Sequence, residues 1–185
     1  MRRHTAKGVW RCCEMRILIA FYSRTGITKK TCNAIAEALT NSGGSVEVQV
    51  EEIIDREDRS GALGYARAGR DAMRKRTTEI EPVQAEVAAY DLVVIGTPVW
   101  AWTAVPACRA FCEQFAAEMK AVAFVATMGG NGDRGAFEAL EEWCGKAPVA
   151  TVAVRERFVK REDAEDFAQP VEAFARQLLA AAAGS

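Results

Sequence analysis

Three runs of uninterrupted apolar residues, at 17–22 (ILIAFY), 92–95 (LVVI) and 121–126 (AVAFVA), limit the possible folds more than any other feature of the chain. A strand with one wet face alternates apolar and polar residues. These runs do not, so each is expected to be buried on both faces, as in a parallel sheet. Between them the period changes. Cys32, Ile35, Ala36 and Leu39 recur at helical spacing, as do Cys108, Phe111, Cys112 and Phe115. Phe137, Leu140, Glu141 and Cys144 follow suit, and so do Val171, Phe174, Leu178 and Leu179. Such stripes give each helix one apolar face. Val46, Val48 and Val50 alternate with polar residues, which predicts a half-exposed edge strand, and 149–154 supplies a fifth strand. Thr28 is placed to cap the first helix, Pro106 falls in the first turn of the next, and Pro170 stands at the start of the last. Strands alternating with helices predict an α/β fold: a doubly wound five-stranded parallel sheet with helices on both faces.

At 185 residues the chain suits one domain. Residues 1–14 show no periodicity and read as a disordered basic extension, leaving 15–185 as a single domain. The first sixteen residues carry a net +4, so the remainder carries −5 of the total −1. A nucleic-acid binder needs a basic excess that is missing here, and no stretch approaches the ~20 apolar residues of a membrane span. Neither partner class is expected. The one histidine, His4, lies in the extension, which leaves a Ser-His-Asp triad, a Cys-His pair or a multi-histidine zinc site without its histidine. The six cysteines form no CxxC pair, so no metal site is expected. Cys32, Cys108 and Cys112 read as small buried thiols, and reduced thiols without a secretory segment point to the cytoplasm.

Residues 51–82 form a long polar connection containing Arg67, Arg70, Arg74, Lys75 and Arg76, with a short helix expected over 63–73. Seven positive residues meet six negative ones over 55–81, which reads as a solvated face or partly helical loop rather than a nucleic-acid patch.

In a parallel sheet every strand's C-terminal end lies on one edge. With strand order 2-1-3-4-5, the loops after strands 1, 3 and 4 gather at the crevice between strands 1 and 3. Those are the loops of unusual composition here. The first holds Ser23, Arg24, Thr25, Gly26, Ile27 and Thr28 at a helix N-terminus. Unpaired N–H groups, a positive dipole end and hydroxyl donors suit a phosphate; an ordinary capped turn has the same composition, and both readings stand. Lys29 and Lys30 do not make it a Walker A loop, because GxxxxGK[ST] is absent. The second loop holds Pro98, Val99, Trp100, Ala101 and Trp102. Large aromatics beyond a strand end cover either the core, a partner or a flat aromatic ligand. The third holds Thr127, Met128, Gly129, Gly130 and Gly132, whose glycines allow backbone to approach the edge of a planar heterocycle. Gly130, Gly132 and Gly135 also spell GxGxxG, with Glu156 about 21 residues on. A dinucleotide half-site needs two further strands after the motif and only one remains, so that reading is set aside.

The segments YSRTGITK (22–29), DLVVIGTPVWAW (91–102) and ATMGGNGD (126–133) resemble the flavodoxin family. The resemblance runs from Met15 to the last helix and implies a flavodoxin-like sheet of order 2-1-3-4-5 that binds FMN. It implies that Ser23, Thr25, Gly26 and Thr28, with the backbone of Arg24 and Ile27, hold the FMN phosphate. Pro98, Val99, Trp100, Ala101 and Trp102 would line one side of the isoalloxazine, and Thr127, Met128, Gly129, Gly130 and Gly132 the other. A backbone carbonyl near 99–101 would meet a protonated ring nitrogen. No side chain is expected to act as a catalytic acid or base.

The function implied is redox: electron transfer through bound FMN, exchanging electrons with a partner protein. An FMN-dependent NAD(P)H reductase of quinone-type acceptors is the alternative, since the third loop lacks an aromatic to cover the ring and the chain lacks a strongly acidic surface. Arg67, Arg70 or Arg76 would then meet the nicotinamide cofactor's phosphates. A flavin-free binding module on the same sheet is a further alternative. A monomer or a homodimer fits either redox reading.

Overall fold

Each uninterrupted apolar run becomes a strand with no wet face. In the computed structural model, which describes residues 15–43, 45–57, 78–161 and 164–183, Ile17, Leu18, Ile19 and Ala20 have no exposed surface, and neither do Val93, Val94, Ile95 and 122–126. The elements run β1 (Met15–Phe21), α1 (Ile27–Thr40), β2 (Val46–Glu52), β3 (Leu92–Pro98), α2 (Pro106–Phe115), β4 (Val122–Met128), α3 (Asp133–Cys144), β5 (Thr151–Arg155), α4 (Glu156–Arg161) and α5 (Ala164–Ala183). The strands form one parallel sheet of order β2-β1-β3-β4-β5. The expected topology is therefore the observed one. β5, which alternates exposed and buried residues, and β2, which has no fully buried residue, are its edges.

Two apolar layers cover the sheet. Leu18, Ala20, Val93, Ile95 and Phe124 pack with Cys108, Phe111 and Cys112 of α2 and with Leu140 and Cys144 of α3. On the other face Ile17, Ile19, Val94 and Val125 pack with Cys32, Ile35 and Leu39 of α1, Val159 of α4 and Phe174 and Leu178 of α5. Gly96 of β3 sets how closely α1 approaches: a Cβ there would stand 2.6 Å from Cys32 Sγ and 2.8 Å from Phe21 Cβ. Only a glycine admits both neighbours.

The structure corrects two expectations. Pro170 is not at the start of the last helix but inside it, since α5 begins at Ala164. A proline interrupts the ladder by one missing N–H, whereas Glu165 and Asp166 favour the helix's positive end and Phe167 packs on the α1-side core. The short α4, directly after β5, was not anticipated either. Thr28 also does not cap α1. The capping residue is Gly26 at φ 83°, without a side-chain cap, and Thr28 turns inward.

The expected helix over 63–73 and the arginine cluster lie outside the described residues, as does the extension 1–14. On either side of the former, Asp55 and Ile80 form an antiparallel bridge, and Thr78 donates to the Asp55 carboxylate at 2.7 Å. Among the described residues no helix is long and apolar enough to cross a membrane, and no cluster of metal-ligating side chains occurs.

Candidate functional site

Parallel pairing brings the ends of β1, β3, β4 and β5 to one edge, and a cavity of 280 Å³ opens there. Its walls are Arg24, Thr25, Ile27 and Thr28 from the first loop, Pro98, Val99 and Trp100 from the second, Thr127, Met128 and Gly129 from the third, and Glu156. Three loops far apart in sequence thus meet around one space, as anticipated.

Hydrogen bonds tie the loops together. Tyr22 N–H donates to the Gly96 carbonyl at 3.0 Å, and Val99 N–H donates to the Thr127 carbonyl at 2.8 Å. Thr28 and Thr127 share a buried hydroxyl–hydroxyl bond of 2.8 Å beneath the cavity, joining α1 to β4. Thr97 Oγ1 accepts from Val105 N–H and donates to the Pro98 carbonyl, pinning both ends of the second loop.

At the first loop, the Ser23 hydroxyl accepts from Lys29 N–H at 3.2 Å, folding the chain over the head of α1. Gly26 starts the helix with positive φ and no side-chain cap. The first N–H groups of a helix have no partner inside it, so this turn presents donors and a positive dipole end beside the exposed Thr25 hydroxyl. That chemistry fits a phosphate.

Trp100 is 6 % exposed, with Tyr22 edge-on at 5.6 Å and the Arg24 guanidinium 5.5 Å from its ring centre. It contributes an apolar wall already cemented by two neighbours. Trp102 differs sharply. Trp100 and Thr103 exchange both backbone hydrogen bonds across Ala101 and Trp102, which stand at φ 47° and 62°. Two positive φ values mark a type I′ turn, normally made with Asn-Gly rather than Ala-Trp. The turn holds the Trp102 side chain outside the cavity at 73 % exposure.

The glycines of the third loop have separate duties. Gly132 caps α3 at φ 116°, and a Cβ on it would meet Val99 Cγ1 at 2.8 Å. Gly135 lets the Trp102 carbonyl approach α3, and Gly130 opens on free space. Two of the three GxGxxG glycines, Gly132 and Gly135, are therefore accounted for by packing of the Trp102 turn.

Of the residues expected at the site, Arg24, Thr25, Ile27, Thr28, Pro98, Val99, Trp100, Thr127, Met128 and Gly129 line the cavity. Ser23, Gly26, Ala101, Trp102, Gly130 and Gly132 are not among its lining residues. Glu156 was missed as a member of this site. Its signal was positional: it follows directly on a strand whose C-terminal end faces the same edge.

Among the described residues no thiol lines the cavity. Burial pushes Cys108 up to about 12 and Cys32 still higher, so neither is a thiolate at neutral pH. The charged groups on the walls are Arg24 and Glu156. An anion cradle continuous with an apolar aromatic wall fits a phosphate-bearing planar heterocycle. A family profile described as flavodoxin matches residues 16–169.

The chain belongs to the flavodoxin family. Solved structures agree on the fold of this flavodoxin-family chain. The Lactobacillus acidophilus flavoprotein in complex with FMN superposes with a TM-score of 0.62 at 21% identity, covering 80% of this chain and 97% of that one. Two-electron reduced Megasphaera elsdenii flavodoxin gives 0.51 at 18% identity over 86% and 98% of the two chains. An azoreductase from Bacillus anthracis gives 0.53 at 14% identity over 88% and 97%. Among curated protein sequences none matches.

Proposed function

We propose that this flavodoxin-family protein is an FMN-binding redox protein that passes electrons through the bound flavin. The observation that carries the reading is the meeting, in one cavity, of a helix N-terminus whose capping residue, Gly26, has no side chain and an apolar wall of Pro98, Val99, Trp100 and Met128. FMN is a phosphate joined to a flat heterocycle, and when bound it supplies one- and two-electron redox chemistry. The chain's own groups bind and orient. Thr25, with the N–H groups of Gly26, Ile27 and Thr28, holds the phosphate. Val99 and Trp100 bury one side of the ring, and Gly129 and Gly130 admit it from the other. A backbone carbonyl of Val99, Trp100 or Ala101 would be the acceptor for a protonated ring nitrogen; that of Trp100 already accepts from Thr103 N–H and keeps a second lone pair. The protein works in the cytoplasm, where its four described free cysteines stay reduced, as a monomer or a homodimer.

Purified protein is expected to be yellow and to release one FMN per chain on denaturation; colourless protein that takes up no FMN contradicts the reading. A second reading, FMN-dependent reduction of quinone-type acceptors by NAD(P)H, is favoured by the third loop. Gly129 and Gly130 are exposed and place no aromatic side chain over the ring, which leaves room for a small acceptor. Steady NAD(P)H consumption with a quinone by the purified holoprotein supports that reading. Reduction only through a partner reductase supports the carrier.

A further inference from the structure

We propose that Glu156 is a cofactor-positioning residue whose carboxylate accepts hydrogen bonds from the ribityl hydroxyls of bound FMN. The inference rests on the FMN reading above and adds a contact from a fourth segment.

Register places this side chain. β5 pairs with β4 so that Arg155 stands beside Met128, and the next residues outward are Glu156 and Gly129. A Cβ on Gly129 would stand 4.0 Å from Glu156 Oε2, so the missing side chain leaves that oxygen facing the cavity. The other oxygen, Oε1, is held by Lys160 at 2.5 Å, one helical turn on. One oxygen is thus anchored and the other presented.

The side of the sheet then narrows the target. α4 lies on the α1 face: Val159 belongs to the core layer of Ile35 and Leu39, and Lys30 Nζ donates to the Val159 carbonyl at 3.3 Å. Trp100 belongs to the opposite layer. Glu156 is therefore near the head of α1 and away from the aromatic wall that would take the ring. A carboxylate only accepts hydrogen bonds, and a phosphate at neutral pH offers it none and repels it. With the phosphate on the head of α1, which Thr28 ties to β4, and the ring against Val99 and Trp100, the hydroxyl-bearing chain between them would lie in the cavity that Glu156 lines. Those hydroxyls are the donors that match Glu156.

An acidic first-turn residue paired with Lys160 also steadies a helix, which is a purely structural role. The two roles separate in a double-mutant cycle against the ligand. FMN and analogues each lacking one ribityl hydroxyl are titrated into the apoprotein of wild type, Glu156→Gln and Glu156→Ala, following quenching of flavin fluorescence. Hydrogen bonds to a charged group predict that wild type binds one analogue about 10-fold or more weaker than FMN. Glu156→Ala should bind FMN about 10-fold weaker and no longer discriminate that analogue; Glu156→Gln, which keeps a carbonyl acceptor, should fall between. Equal discrimination in all three proteins overturns the proposal, as does tighter FMN binding by Glu156→Ala, which would put the carboxylate against the phosphate instead. If wild type binds no FMN at all, the cofactor reading itself falls, and this contact with it.

Discussion

The carbonyl oxygen of Trp102 occupies the space in which a side chain on Gly135 would begin: a Cβ there would lie 2.2 Å from it. A loop residue after β3 and a first-turn residue of α3 are thereby fitted backbone to backbone. Trp102 keeps an unfavourable positive φ because the surrounding packing holds it there.

Gly135→Ala should therefore destabilise the protein, although alanine is the better helix former by about 1 kcal/mol. Overpacking against backbone, which cannot swing aside, costs about 1–3 kcal/mol. A 2.2 Å clash puts that cost at the upper end, about 2–3 kcal/mol, so chemical denaturation should show a net loss of about 1–2 kcal/mol. A variant as stable as the parent would mean that the turn is free to shift.

Gly96→Ala tests the opposite layer. Its methyl group would meet Cys32 Sγ and Phe21 Cβ and lift α1 from the sheet. A loss of about 1–3 kcal/mol is expected, together with weaker FMN binding, because the head of α1 moves with the helix. Unchanged FMN affinity in a destabilised variant would separate that helix from the site.

Thr28→Val keeps shape and removes a hydroxyl, leaving the buried Thr127 hydroxyl without its partner at 2.8 Å. The expected cost is about 1–3 kcal/mol. Thr127→Val added to it should recover part of that loss, since the stranded polar group is gone. Additive losses in the double variant would contradict a direct bond.

These positions show what the sequence discloses and what it withholds. β1, β3 and β4 were legible because burial on both faces demands continuous apolar residues, and β2 because an edge strand alternates. The loop at the head of α1 was legible as a candidate anion site from its hydroxyls and glycine. Its capping geometry was not: Thr28 has the right chemistry for a cap, yet a buried partner on β4 outbids the local role. Ala101 and Trp102 carry no turn signal, because their backbone is dictated by Gly132 and Gly135 across the loop. Glu156 escaped because α4, six residues long, is too short to show a period.

Asp91 should give the acid limb of stability a recognisable component. Its carboxylate accepts from Arg16 N–H at 3.0 Å and pairs with Lys120 at 3.0 Å, which together hold its pKa below the usual value. The unfolded chain titrates near ~3.9 and so takes up the proton first. This contribution is complete above that pH and is lost as pH falls through the lower folded value. The pair is largely exposed and solvent-screened, so its worth is at most about 1 kcal/mol. Denaturation curves from pH 7 to pH 2 should show Asp91→Asn less stable at neutrality and converging with wild type in acid. Parallel curves would contradict the linkage.

The central claim is that the turn at the head of α1 holds the phosphate of a flavin whose ring lies against the second and third loops. Titration of apoprotein with FMN and with riboflavin, for wild type and Thr25→Ala, tests it most directly. The account predicts saturable one-to-one quenching by FMN, far weaker binding of riboflavin, and a loss of about 10-fold in FMN affinity on removing the Thr25 hydroxyl. Equal affinity for FMN and riboflavin, or no binding of either, would contradict it.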